Sequence, residues 1–226
     1  MSIIGSNILA GASGADTGFD PTTPIGTATE GGYFAGFISH TANGVATHAL
    51  IVAPRANGAT GTGYTLTTMK QWKTSNTATS GTTSSFDGAA NTVNMSGGAH
   101  PAADFCTGLS IGGYSDWYMP ARYEYDIAYE NLKPTTESNV TMFGINDYSV
   151  PKRTANRTSS TPSRTSVLAF RSGGGEAFVD NFHWSSTESS SQYAWFLTFF
   201  NGFTDGPGGY FKVNAYRVRA FRKVAL

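Results

Sequence analysis

One cysteine, Cys106, stands in 226 residues, so no disulfide can form within the chain. Charge is scarce as well. Charged residues are 13% of the sequence, against about 25% in an average globular protein. Lys+Arg and Asp+Glu balance at 15 each. No electrostatic footprint for nucleic acid or an anionic membrane follows, and neither partner is expected. No apolar run reaches the roughly 18 residues of a membrane-spanning helix. The opening residues, Met1-Ser2-Ile3-Ile4-Gly5-Ser6-Asn7, hold no basic residue and no signal-peptide core.

Glycine is abundant, at 27 residues, and many Ser and Thr accompany it. That mix predicts loops and strands with few helices. The stretch from Phe182 to Val224 organises the rest. Trp184-Ser185-Ser186-Thr187-Glu188 is a compact aromatic and hydroxyl block. Ala194 to Asn201 reads as a strand ending in an Asn201-Gly202 turn. Tyr216 to Val224 reads as a last strand, with Tyr216, Val218 and Ala220 on one face and Arg217, Arg219 and Phe221 on the other. Between them lies a Gly-rich loop, Gly202 to Asn214, expected to be mobile and held by rigid strands.

This block, with Ala194-Trp195, Asn201-Gly202 and the closing Tyr216–Arg222, resembles a family of C-terminal domains in bacterial and phage proteins with a C-type-lectin-like fold. One such domain ends a collagen-like adhesin. A second resembling element is Gly112-Gly113-Tyr114-Ser115-Asp116-Trp117-Tyr118-Met119-Pro120, followed by a helix. The resemblance covers residues 31–226. It implies an α+β domain with short antiparallel strands, two to three short helices and long loops, which binds and does not catalyse. The functional expectation is a phage virion surface protein, a fibre tip or capsid decoration, that binds a host-surface glycan or protein. The alternative is a bacterial cell-surface adhesin. A binding module with neither disulfide nor export signal fits a virion protein, assembled in the host cytoplasm and released by lysis. The resemblance also suggests a homotrimer, and no cofactor is expected.

Residues 1–30 are small and polar. They read as an extended arm, either a disordered tail or a segment that orders only when docked on other virion proteins, ahead of the lectin-like domain at 31–226. Tyr33–Ser39 and Thr47–Ala53 predict a hairpin about Asn43-Gly44. Pro101 suits the first turn of a helix over Ala99–Leu109, whose core face would carry Ala102, Phe105, Cys106 and Leu109. A second helix is expected over Ala121–Leu132, with Tyr125, Ala128, Tyr129 and Leu132 inward. Glu124 there offers half of a capping box, because Ala121 lacks the hydroxyl. Ser163–Phe170 reads as a third short helix with Val167, Leu168 and Phe170 inward.

Glu-Pro-Asn, Gln-Pro-Asp and Trp-Asn-Asp are all missing, so a calcium-held sugar site of the C-type-lectin kind is not expected. The sulfatase-activating oxidases share the lectin-like fold but need catalytic cysteines. Cys106 on a core face is read as a small hydrophobe. His40 and His48 flank the hairpin turn with no third metal ligand at useful spacing. Among His183, Ser185, Ser186 and Glu188, neighbours along a strand point to opposite faces and do not converge on one atom. Trp184 is read as core, and Glu188 as a partner for Arg217 or Arg219. In Trp195–Phe200 the alternation sets Phe196 and Phe200 outward as an oligomer interface, unless both sheet faces are covered. The ligand-binding residues are expected on the Gly202–Asn214 loop and the Ser189–Tyr193 turn: Tyr193, Phe203, Asp205, Tyr210 and Asn214; the alternative is a spacer loop whose aromatics pack back on the domain.

Overall fold

A computed structural model describes residues 18–61, 68–206, 208 and 210–226. In chain order its elements are β1 (Ala28–Thr29), β2 (Gly32–Ile38), β3 (His48–Val52), α1 (Arg55–Gly58), β4 (Lys70–Gln71), α2 (Gly88–Val93), α3 (Pro101–Thr107), α4 (Arg122–Leu132), β5 (Ser149–Val150), β6 (Phe182–Glu188), β7 (Ala194–Thr198), β8 (Thr204–Asp205), β9 (Ala215–Tyr216) and β10 (Phe221–Ala225). The architecture is α+β, with the named strands pairing antiparallel.

The expected hairpin forms from β2 and β3. At its turn Asn43 Oδ1 accepts the Val45 backbone N–H at 2.9 Å, and Gly44 takes φ 82°, which a side chain would disfavour. The sheet runs β1-β2-β3-β10, with β5 also on β2, so the first and last strands of the domain share one sheet. The run Ala49–Ala53 is apolar without interruption because both of its faces are covered. Ala49 and Ile51 join a core with Ala102 and Cys106 of α3, Trp72, Trp117 and Trp184. Leu50 and Val52 join a second core with Tyr125, Ala128, Tyr129 and Leu132 of α4, Phe170, Phe178 and Phe199.

Residues 215–225 are the spine of the domain. They meet β4 through β9, and β6 through the His183–Arg217 bridge. They meet the Tyr118 segment through paired Tyr118–Phe221 backbone bonds of 2.7 and 2.9 Å, and β3 through β10. The continuous strand expected over Tyr216–Val224 is therefore divided between partners. Its alternation persists: Val218 and Ala220 enter one core, Phe221 the other.

Helix α4 begins at Arg122, as the half capping box predicts. Glu124 Oε2 accepts the Ala121 N–H at 2.7 Å and the Gly88 N–H at 3.2 Å, while Tyr118 Oη donates to Oε1 at 2.7 Å. A side chain at residue 88 would overlap that carboxylate, which is why glycine stands there. Burial raises the Glu124 pKa from 4.5 to about 7.

Three expectations are corrected. Ser163–Phe170 makes only a 3₁₀ turn at Leu168–Phe170, and Leu168 points to solvent while Phe170 is buried. The domain begins before residue 31: Phe19 is buried against Phe34 at 4.8 Å and β1 already pairs with β2. The rest of the proposed arm, residues 1–17, lies outside the described residues. Glu188 pairs with neither arginine. Arg219 bonds Glu176 at 2.6 Å, Arg217 Nε donates to Gly61 O at 2.9 Å, and Glu188 takes Lys212 at 2.5 Å.

Candidate binding surface

The Gly202–Asn214 loop is fastened at several of its described residues; Pro207 and Gly209 lie outside those described. Lys212 is its main fastening. The Nζ is buried and donates to Glu188, to Thr77 O at 3.0 Å and to Ser191 O at 3.0 Å. Phe203 is half-buried, its ring 5.9 Å from both Phe143 and Phe196. Tyr210 packs on Phe182 at 4.9 Å and Phe196 at 4.8 Å. Asp205 closes β8, its Oδ1 accepting the Gly206 N–H at 2.7 Å. Asn214 O accepts the Trp184 indole N–H at 3.2 Å. Tyr193 faces Phe211 at 5.0 Å, at the rim. The five expected ligand residues are thus spread over the loop's own supports and do not converge on one open face.

Phe196 is 1% exposed, so its outward placement is corrected: both faces of β7 are covered. Phe200, at 41%, is exposed and lines a shallow hollow of about 320 Å³ with Phe182 and Phe203. The residue of β7 that the alternation set inward, Trp195, is the half-exposed one.

The Trp184–Glu188 block is internal and its polar atoms are committed. Ser185 Oγ donates to Trp195 O at 2.8 Å, and Ser186 Oγ accepts from Asn91 Nδ2 at 3.1 Å. Thr187 Oγ1 donates to Ser84 O at 2.9 Å and accepts the Arg122 N–H at 3.1 Å. The His183 ring is buried 2.9 Å from Asn181 O, and burial brings its pKa down to about 3. The Cys106 thiol is likewise pushed up by burial. His40 and His48 stack at 4.5 Å beside Asp87 and Lys223, and burial lowers the His40 pKa to about 4. Among the described residues no group of three or more His, Cys, Asp or Glu could hold a metal ion, and no helix is long and apolar enough to cross a membrane.

What the structure does assemble is a stacked row of half-exposed side chains from four separate segments. Phe86 stacks on Tyr148 at 4.2 Å, and Tyr148 stands 5.7 Å from Tyr123. The Arg122 guanidinium lies 4.7 Å over Tyr123 and 3.7 Å over Trp195. Gly206 closes the far side of Trp195, where an added methyl would overlap the two carbons at the ring fusion. Beside Arg122 opens a hollow of about 220 Å³ lined by Met142, Phe143, Ile145 and Leu197, with Met142 75% and Ile145 50% exposed. Asp126, also on this wall, is neutralised by Arg153 and Arg157. Arg122 has no such partner: among the described residues none accepts a hydrogen bond from its guanidinium, and burial lowers its pKa with only Tyr123 opposing. The sequence did carry a signal for this row. Arg122 and Tyr123 sit in the first turn of α4, off the core stripe of Tyr125, Ala128, Tyr129 and Leu132.

No protein-family model matches the chain, and a search of curated proteins returns no match.

Proposed function

We propose that the chain is a non-enzymatic surface protein of a phage virion, a fibre tip or capsid decoration, whose lectin-like domain binds a host-surface molecule. The lectin-like reading draws on the sequence resemblance. It is supported by the meeting of first and last strands in one sheet and by the long loops pinned between α4 and β6. The observation that carries binding over catalysis is the contrast between the two polar sets of the domain. The reactive-looking groups of 183–188 are buried and bonded to the scaffold. The unpaired Arg122, with Trp195 stacked on it, and Tyr123 stand half-exposed, and both Arg122 and Tyr123 line a hollow shared with Met142, Phe143, Ile145 and Leu197. A cation, aromatic rings and exposed aliphatic side chains on a rigid support are what a recognition patch needs. In this reading residues 1–17 dock on other virion proteins, and Phe200 with its hollow meets a second copy in a homotrimer. The test is mass spectrometry of purified particles. The proposal expects the chain in the particle at structural-protein abundance. Its presence on the surface of uninfected bacteria and absence from particles would assign it to an adhesin and overturn the proposal.

A further inference from the structure

We propose that the Arg122 hollow receives a protein segment in which an apolar side chain and a carboxylate lie one or two residues apart. This rests on the reading of the domain as a binding module and names the chemistry of its partner. Three observations lead there.

The first is an uncompensated cation. The other buried or half-buried arginines near this wall are spoken for. Arg157 meets Asp126, Glu130 and Gly202 O, and Arg153 meets Asp126 and Gly144 O. Arg122 has rings on its faces and, among the described residues, nothing on its N–H edges. Stacking uses the faces of a guanidinium and leaves its in-plane donors free, and the partner those donors match best is a carboxylate.

The second is an indole without an acceptor. Trp72, Trp117 and Trp184 donate their ring N–H to Ser185 O, Tyr114 O and Asn214 O. Trp195, stacked on Arg122, has no acceptor among the described residues. A second donor therefore belongs to the same stack.

The third decides between a sugar and a protein. A pyranose ring binds by lying on an open aromatic face. Here Trp195 is covered by Arg122 on one face and Gly206 on the other, and Tyr123 is crowded by Arg122 at 4.7 Å and Tyr148 at 5.7 Å. The apolar surface left open is that of Met142 and Ile145. The hollow of about 220 Å³ has a polar side, Asp126, Asn156 and Thr204, and an apolar side, Met142, Phe143, Ile145 and Leu197, whose flexible thioether and aliphatic groups suit a Leu-sized side chain.

The test uses the full-length protein labelled with nitrogen-15 and three probes: N-acetyl-Leu-Asp-amide, N-acetyl-Leu-Asn-amide and glucuronate. The readouts are the Arg122 Nε–H and Trp195 Nε1–H resonances. The acidic dipeptide is expected to shift both, with a Kd in the millimolar range, and the Asn analogue to bind at least about tenfold more weakly. Arg122→Gln should abolish the shift of Trp195, and Ile145→Ser, at an exposed position, should weaken the dipeptide while leaving the spectrum otherwise intact. Equal binding of the Asp and Asn probes would overturn the proposal, as would shifts from glucuronate alone, or none from the dipeptide. A chain found in particles but silent to the dipeptide would refute this inference and leave the virion reading standing. A chain missing from particles but responsive would do the reverse.

Discussion

Lys212 Nζ lies 2.5 Å from Glu188 Oε1, and both side chains are closed off from solvent. One end belongs to the glycine-rich loop and the other to the last residue of β6. The pair is completed by Thr79 N–H and Thr82 Oγ1 on the carboxylate and by the Trp72 ring, 4.6 Å from the ammonium. A loop whose composition reads as free is thereby fixed to the core. Removing one partner leaves a buried charge alone, which costs about 3–5 kcal/mol. Lys212→Met should lose that much in urea unfolding, and Lys212→Met with Glu188→Leu should recover most of it. A single variant as stable as the parent would mean that the loop is not held here.

The loop aromatics should behave as packing groups. Phe203→Ala and Tyr210→Ala each remove a half-buried ring from the Phe196 cluster. The expected loss is about 1–3 kcal/mol each, below that of a fully buried Phe. Thermal unfolding checks this, and unchanged melting of both variants would return these rings to the solvent side.

Phe196 and Phe200 should separate cleanly. Phe196→Ala, at a position 1% exposed, should destabilise by about 3–5 kcal/mol. Phe200→Ala should leave monomer stability nearly unchanged and weaken self-association, read by light scattering. Association unaltered by Phe200→Ala would remove that residue from any interface.

Acid stability should depend most on His183, with His40, its pKa lowered to about 4, acting in the same sense. Burial, with the charges of Arg217 and Arg219, takes its pKa from 6.5 to about 3. Between those values the unfolded chain holds a proton that the folded one does not. Stability is therefore present above pH 6.5 and lost as pH falls toward about 3. Glu124 acts in the opposite sense: raised from 4.5 to about 7, it contributes stability at low pH that is lost as pH rises between these values. His183→Asn, which keeps a donor for Asn181 O, should flatten the acid limb of a melting-temperature profile, and Glu124→Gln should remove the opposing slope. An acid limb unchanged in His183→Asn would place the sensitivity elsewhere.

Much of the scaffold was legible because it depends on local pattern. The Asn43-Gly44 hairpin, Pro101 at the start of α3, and the α4 stripe closing at Leu132 all follow from residues within a few positions of one another. The errors arose where a partner distant in sequence decides. Phe196 and Trp195 could not be assigned a face from Trp195–Phe200 alone, because hydrophobic residues stand at almost every position and both faces of β7 are covered. Glu188 pairs with Lys212 and with neither arginine of the last strand, because Glu176 and the Gly61 carbonyl engage those. The stacked row of Phe86, Tyr148, Tyr123, Arg122 and Trp195 draws on segments up to 109 positions apart in sequence, and the sequence signals only its Arg122-Tyr123 part, off the core stripe of α4.

The most direct measurement is competition for host adsorption. Purified full-length protein, added to host cells before the phage, should slow particle adsorption in a dose-dependent way, and Arg122→Gln protein of equal stability should not. No slowing by the parent protein, or equal slowing by the Arg122→Gln variant, would contradict a host-binding surface centred on Arg122.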